Sequence, residues 1–120
     1  GLDAAGVVGA VEFRHRDWYA ARLQTRTLAL LERLGFAHVV VDGPQGHASS
    51  VPWVPVATHP ALAVFRLHGR RGDTWERPVT VVSERYRYRY DAKELGGFAA
   101  DVVDVARRVQ RTHVVFNNCH

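Results

Sequence analysis

Short apolar runs alternate with amphipathic stretches along this chain. Residues 7–14 are rich in β-branched side chains and end in alternating polar positions, which predicts a strand. Apolar residues then recur at helical spacing over 19–34, and Asp17 and Gly35 are residue types suited to begin and end that helix. Residues 37–42 form a continuous β-branched run, typical of a strand buried on both faces of a parallel sheet.

The second half repeats this pattern. Residues 61–68 and 112–117 predict a third and a fourth strand, and Asp91 with Glu94 has the spacing of a capping-box variant that begins a helix. The apolar stripe predicted for that helix is Leu95, Phe98, Ala99, Val102, Ala106 and Val109. The proline-rich connection before the third strand lacks helical periodicity, which leaves a short helical turn and a functional loop as alternatives.

The resulting order, β-α-β-loop-β-α-β, predicts an α/β fold with parallel strands and right-handed crossover helices. A complete TIM-type (β/α)8 barrel needs about 250 residues. We therefore interpret residues 1–120 as a single domain that forms about half of such a barrel. Because a half barrel has two open sheet edges, we expect it to pair with the missing half or to self-associate.

Composition narrows the class of protein. Of 120 residues, 47% are apolar, which suffices for a packed core, and the apolar runs are too short for a membrane span. Cys119 is the only cysteine, which fits a reducing compartment, so we predict a cytoplasmic protein. The absence of methionine indicates a fragment, and the excess of Arg over Lys favours a bacterial source. The net charge of +4 is too mild to indicate nucleic-acid binding by itself.

Polar side chains follow all of the predicted strands, at the edge where parallel α/β sheets hold their active sites. These candidate residues are Glu12, Arg14, Asp42, Arg66, His68, Arg70, Asn117, Asn118 and His120. Alternation along a strand puts Glu12 with Arg14 and Arg66 with His68, which predicts convergence on one pocket. The plainer alternative is an internal network of ion pairs that only stabilises the strand ends.

The residue types favour an anionic ligand. Arginine guanidiniums bind phosphate and carboxylate through paired hydrogen bonds, so Arg14, Arg66 and Arg70 are predicted to contact the ligand. The catalytic candidates are Glu12, His68 and Asp42. The alternating Arg and Tyr residues of 85–90, which include Tyr88 and Tyr90, would either stack on a base or form a loop wall.

A metal site is the competing interpretation of the same residues. Glu12, Asp42, His68 and His120 would suit Zn or Mn, but they lack a close metal-binding spacing, so we predict no metal. No particular cofactor is indicated. Cys119 and His120 are adjacent in a predicted strand and would point to opposite faces, which argues against a Cys-His nucleophile.

Five segments together resemble the YecE-like domain of unknown function family, DUF 72. They are Val11-Glu12-Phe13-Arg14-His15 with Trp18, Val41-Asp42-Gly43-Pro44, Phe65-Arg66-Leu67-His68-Gly69-Arg70, Tyr88-Arg89-Tyr90 before Glu94-Leu95, and Phe116-Asn117-Asn118 with His120. The resemblance implies the C-terminal half of a TIM-type barrel, without the first half and the last helix. The matching polar positions are Glu12, Arg14, Asp42, Arg66, His68, Arg70, Tyr88, Tyr90, Asn117, Asn118 and His120.

Three functional hypotheses follow. The first is a barrel hydrolase or lyase that acts on a phosphate-bearing or nucleic-acid-derived substrate at the carboxyl ends of the strands. The second is a non-catalytic protein that binds phosphate or nucleic acid, for which affinity should fall with added salt. The third is a fragment with no independent function.

Overall fold

The fold is an α/β structure built on one parallel sheet. The computed structural model describes residues 6–70 and 89–117. Its four strands are β1 (Ala10–Val11), β2 (Ala37–Asp42), β3 (Leu62–Leu67) and β4 (Arg111–Phe116). Each strand pairs in parallel with its neighbour along the chain, in the order β1-β2-β3-β4. The predicted α/β class, parallel pairing and crossover helices are therefore confirmed.

The start of the chain differs from the prediction. The first strand has only two residues instead of the predicted eight-residue segment 7–14, and a 3-10 helix, Arg16–Tyr19, follows it. Helix α1 (Gln24–Leu34) begins later, after Leu23, so the prediction that Asp17 caps a continuous helix is wrong. Tyr19, the last residue of the 3-10 helix, is buried in one cluster with Val39 and Val41 of β2, so this segment packs against the sheet before α1 begins.

The C-terminal end of α1 and the N-terminal end of the second helix lie where the sequence predicts them. Gly35 ends α1 with a φ of 75°, a left-handed conformation that glycine adopts without a Cβ clash. Helix α2 (Ala92–Ala106) begins with a complete capping box, in which the Glu94 backbone N–H donates to Asp91 at 2.8 Å and the Asp91 N–H donates to Glu94 at 3.0 Å. Both predictions are confirmed.

The buried side of α2 is rotated relative to the predicted stripe. Phe98 and Val105 are buried, and Val102 packs against the cluster that contains Val105, as does Val109 just after the helix. Leu95 is exposed, as are Ala99 and Ala106, so these three members of the predicted stripe are not core positions. Sequence periodicity located the helix but not the side that meets the sheet.

The core lies between the sheet and its connections. Every residue of β2 is buried, as its apolar run predicts, and Phe65 of β3 is completely buried. The connection from β2 to β3 contains no helix and packs as extended chain, with Trp53 against the rings of Phe65 and Phe98 at centroid distances of 5.6 and 4.9 Å. An ordered proline-rich segment thus replaces a crossover helix.

Strand β4 lies at one edge of the described sheet. β4 pairs with β3, and its residues Val114, Val115 and Phe116 are exposed. Over residues 6–70 and 89–117, neither helix has the length and apolar character that crossing a bilayer requires.

Candidate functional site

The polar strand ends form two groups rather than one pocket. Arg66 stands opposite Val41 in the β2–β3 register, and Asp42 stands opposite Leu67. Because successive strand residues point to opposite faces, Arg66 and Asp42 lie on opposite faces of the sheet. The described polar strand ends therefore make a separate set of contacts on each face, and Glu12, Arg14, Arg66 and His68 converge on one face as strand alternation predicts.

The first group, here called the Glu12 cluster, contains Glu12, Arg14, Arg66 and His68. Arg66 Nη1 donates to Glu12 Oε1 at 2.7 Å, while Arg14 Nη2 and His68 Nε2 reach Oε2 at 3.2 Å each. A carboxylate can only accept, so Nε2 carries the proton of His68 in this contact. Sequence alternation correctly put Glu12 with Arg14 and Arg66 with His68, and the fold brings both pairs to one carboxylate.

Exposure differs sharply within the Glu12 cluster. The side chains of His68 and Glu12 are 2% and 11% exposed, whereas those of Arg66 and Arg14 are 30% and 61% exposed. The guanidiniums therefore lie between a buried carboxylate and the solvent. Each uses one nitrogen on Glu12, which leaves further N–H donors of a five-donor group for another acceptor.

Electrostatics keep the Glu12 cluster positive. Burial works to raise the pKa of Glu12, but the hydrogen bond and charge of His68 and the charges of Arg66 and Arg14 outweigh it, so this pKa lies below its ordinary value. Glu12 is thus ionised at neutral pH. Two guanidiniums face one carboxylate, so the two arginines and Glu12 together carry one excess positive charge.

The second group, here called the Asp42 cluster, contains Asp42, Arg70, Tyr90 and Glu94. Arg70 Nε lies 3.2 and 3.1 Å from the two Asp42 oxygens, Arg70 Nη2 donates to Oδ1 at 3.0 Å, and Arg70 Nη1 pairs with Glu94 at 3.0 Å. All three guanidinium nitrogens thus face protein carboxylates. The Arg70 guanidinium also lies over the Phe98 ring, 5.2 Å from its centroid.

Tyr90 fixes the loop after β3 to the Asp42 cluster. Its hydroxyl donates to Asp42 Oδ2 at 2.8 Å and accepts from the Gly69 backbone N–H at 2.7 Å. Burial, followed by the charge of Asp42, raises the pKa of Tyr90 far above its ordinary value, so the phenol stays protonated. In contrast to the Glu12 cluster, the described charged members of this cluster are one cation and two carboxylates.

The other predicted site residues fall into two sets. Asn117 directly follows β4, and its backbone N–H donates to the Leu67 carbonyl at 2.8 Å. Tyr88, Asn118 and His120 lie outside the described residues. Over 6–70 and 89–117, no three side chains of the His, Cys, Asp and Glu types come together as a metal-binding group.

A buried pair of residues between β2 and the 3-10 helix has no signal in the sequence pattern. His38 is buried, Tyr19 donates its hydroxyl proton to His38 Nε2 at 2.7 Å, and His38 Nδ1 lies 2.9 Å from the Val56 carbonyl. Because a carbonyl only accepts, Nδ1 carries a proton, and because burial lowers the pKa of His38 the ring is neutral, so Nε2 is the acceptor of the Tyr19 hydroxyl. This histidine joins three separate segments of the chain.

We expect the protein to lose stability between about pH 7 and pH 5 because of His38. Burial lowers the pKa of His38, against the smaller opposite effect of its Val56 hydrogen bond. In the unfolded chain His38 binds a proton near pH 6.5, whereas in the folded chain it stays neutral at that pH. The free energy of unfolding therefore falls as pH decreases, by at most about 1.4 kcal/mol per pH unit. Denaturant titrations at several pH values measure this slope.

The matched variant for this prediction is His38→Gln. It should unfold with a weaker pH dependence over the same window, whatever its absolute stability. Glu12 does not interfere, because the contribution of its lowered pKa to stability is lost only below about pH 5, as pH falls through its ordinary value of 4.5. Equal slopes for the two proteins would contradict the assignment.

The sequence of this chain matches the model of one protein family. The model of the family described as "Protein of unknown function DUF72" matches residues 3–120. The chain belongs to the DUF72 family. The resemblance found in the sequence segments is thus confirmed. UPF0759 protein YunF of Bacillus subtilis (strain 168) is 33% identical to this chain over 112 residues, which are 91% of this chain and 40% of YunF.

Solved structures of DUF72 proteins have the same fold over this region. A DUF72 family protein from Thermotoga maritima MSB8 is 39% identical, with a TM-score of 0.82 over 94% of this chain and 40% of that protein. A DUF72 family protein from Enterococcus faecalis V583 is 29% identical, with a TM-score of 0.85 over 93% of this chain and 41% of that protein. This DUF72 chain therefore spans about 40% of the length of these relatives.

Proposed function

We propose that the Glu12 cluster is an anion-binding site, which accepts a phosphate or carboxylate group on the guanidiniums of Arg14 and Arg66. The observation that carries this proposal is the imbalance of charge at Glu12, where two guanidiniums share one buried carboxylate. A partly buried cation costs free energy unless an anion or hydrogen-bond acceptor offsets it. A ligand anion would complete the pairing.

The proposal gives different roles to the two clusters. Arg70 directs all of its nitrogens to Asp42 and Glu94, so we assign the ligand contact to Arg14 and Arg66 instead. We assign Asp42 and Tyr90 to holding the loop that carries His68 and Arg70. His68 is nearly inaccessible, so we give it the role of orienting Glu12 rather than contacting a ligand, and we propose binding without assigning a reaction.

We further infer that the four strands are part of a closed (β/α)8 barrel, completed by the rest of a DUF72-length polypeptide. Strand neighbours that follow chain order in parallel are the arrangement of such a barrel. The exposed residues Val114, Val115 and Phe116 of β4 are where we propose that the next part of the barrel packs. The length of the relatives, about two and a half times this chain, supports this occupant.

An open apolar strand should make the 120-residue chain associate with itself. We expect sedimentation velocity to show concentration-dependent association, because an uncovered strand edge pairs readily with another chain. Val115→Lys should weaken it by adding charge to β4, while Ala99→Lys on the exposed side of α2 should not. A chain that is monomeric at all concentrations would contradict the open edge.

Calorimetric titration with inorganic phosphate at low salt tests the anion site. Arg66→Gln and Arg14→Gln should each weaken phosphate binding by about tenfold or more, since a hydrogen bond to a charged group contributes about 1.5–3 kcal/mol. Affinity should also fall as sodium chloride screens the site. Arg26→Gln, on the exposed side of α1, removes the same charge elsewhere and should leave the affinity unchanged.

Two results would count against the anion site. The first is unchanged phosphate affinity in both Arg14→Gln and Arg66→Gln. The second is an equal loss in Arg26→Gln, which would indicate a response to overall charge and not to these two guanidiniums.

A further inference from the structure

An exposed aromatic stack lies next to the Glu12 cluster. Trp18 is 47% exposed, and its ring stacks on Phe13 with centroids 4.7 Å apart and planes inclined by 26°. The Trp18 carbonyl accepts a 2.7 Å hydrogen bond from Thr27 Oγ1 of α1, which fixes the 3-10 helix that carries the ring. The indole is thus held in place with a large part of its surface open.

The aromatic stack is joined to the charged cluster through two residues. Phe13 lies between Glu12 and Arg14 in the chain, and Tyr19 contacts Phe13 edge-on at 5.8 Å. The charge of Glu12 also acts on Tyr19, where it adds to the effect of burial in raising the pKa of the phenol. The aromatic stack therefore begins at Phe13, a direct chain neighbour of both Glu12 and Arg14.

We propose that the exposed Trp18 ring is a stacking platform for a planar ring carried by the anion that binds Arg14 and Arg66. The ligand class is a phosphate or carboxylate attached to an aromatic ring, of which a nucleoside monophosphate is the clearest example. This inference rests on the proposed anion site and adds its ring selectivity. Planar bases stack on aromatic side chains through π-faces that every base possesses, so the platform selects a ring rather than a particular base.

The ring contribution can be separated from the anion contribution with two probes. Adenosine 5′-monophosphate and ribose 5-phosphate carry the same phosphate on the same sugar, and only the first has a planar ring. Stacking contributes about 1–3 kcal/mol per base, so the nucleotide should bind roughly 5- to 150-fold more tightly than the sugar phosphate. The measured quantity is the ratio of the two dissociation constants.

Trp18→Ala should bring this ratio close to one without changing the affinity for ribose 5-phosphate. Trp18→Phe should retain part of the preference, because a smaller ring can still stack. Leu34→Ala removes a side chain that is exposed to the same degree on α1 and should leave the ratio unchanged. Arg66→Gln should weaken both ligands together and preserve their ratio.

Three outcomes would overturn the platform. If ribose 5-phosphate binds and the wild-type ratio is one, the ring has no site, but the anion site stands. If Trp18→Ala keeps the ratio while sedimentation shows lost self-association, Trp18 is a contact between copies of the chain. If neither compound nor inorganic phosphate binds, the anion site itself fails and the platform fails with it.

Discussion

Replacing Asp42 with Asn is expected to lower the free energy of unfolding by about 3 kcal/mol. The Asp42 side chain is 6% exposed and accepts hydrogen bonds from two Arg70 nitrogens and from the Tyr90 hydroxyl. Asn keeps the shape but removes the charge, so Arg70 loses one of the two carboxylates that it contacts among the described residues. Removing one partner of a buried ion pair typically costs 3–5 kcal/mol, and the partial exposure of Arg70 puts the expected loss at the lower end.

Asp104→Asn is the matched control for Asp42→Asn. Asp104 and Arg108 form an exposed pair one helical turn apart at 3.5 Å, and such pairs contribute about 0.5 kcal/mol or less. Equilibrium unfolding in urea measures both variants. Similar small losses in the two would mean that the Asp42 cluster does not hold the loop after β3 to the sheet.

Phe65→Ala should lower the free energy of unfolding by about 4 kcal/mol, the largest effect of any single side chain in the sheet. Phe65 is completely buried, packs against Val40 and Val105, and contacts the ring of Trp53. It therefore joins β2, α2 and the helix-free connection. Truncation leaves a cavity between these three layers, and the cost of that cavity adds to the lost hydrophobic burial.

Phe116→Ala provides the comparison for Phe65→Ala. The same truncation on β4 removes a ring that is largely exposed and should cost about 1 kcal/mol or less. Thermal unfolding or urea titration of the two variants gives the difference. A loss for Phe65→Ala as small as that for Phe116→Ala would contradict the position of Phe65 at the centre of the core.

The parts of the fold that were predicted correctly are those with a local physical cause. The capping box of Asp91 and Glu94, the left-handed turn at Gly35 and the buried run of β2 are each determined by neighbouring residues. The errors have non-local causes. Tyr19, at the end of the 3-10 helix, bonds to His38, which lies nineteen positions later in the chain. The hydrophobic periodicity of the sequence contains no trace of that contact.

Strand alternation predicted which residues pair at Glu12, but it did not predict that Asp42 lies apart from them. The strand alternation that paired Arg66 with His68 also puts Asp42 on the other face, but the relation between β2 and β3 depends on their register, which the sequence does not state. Asp42 with Arg70 is an internal ion-pair network, as the plainer interpretation expects. The Glu12 cluster has an excess of positive charge, on which we base our proposal of an anion site.

The most direct test of the anion site is a crystal structure of this chain with phosphate. We predict phosphate oxygens within hydrogen-bond distance of Arg14 and Arg66, with Glu12 still bonded to both guanidiniums and with Arg70 still bonded to Asp42. A phosphate bound elsewhere, or none next to Glu12 at a saturating concentration, would contradict it.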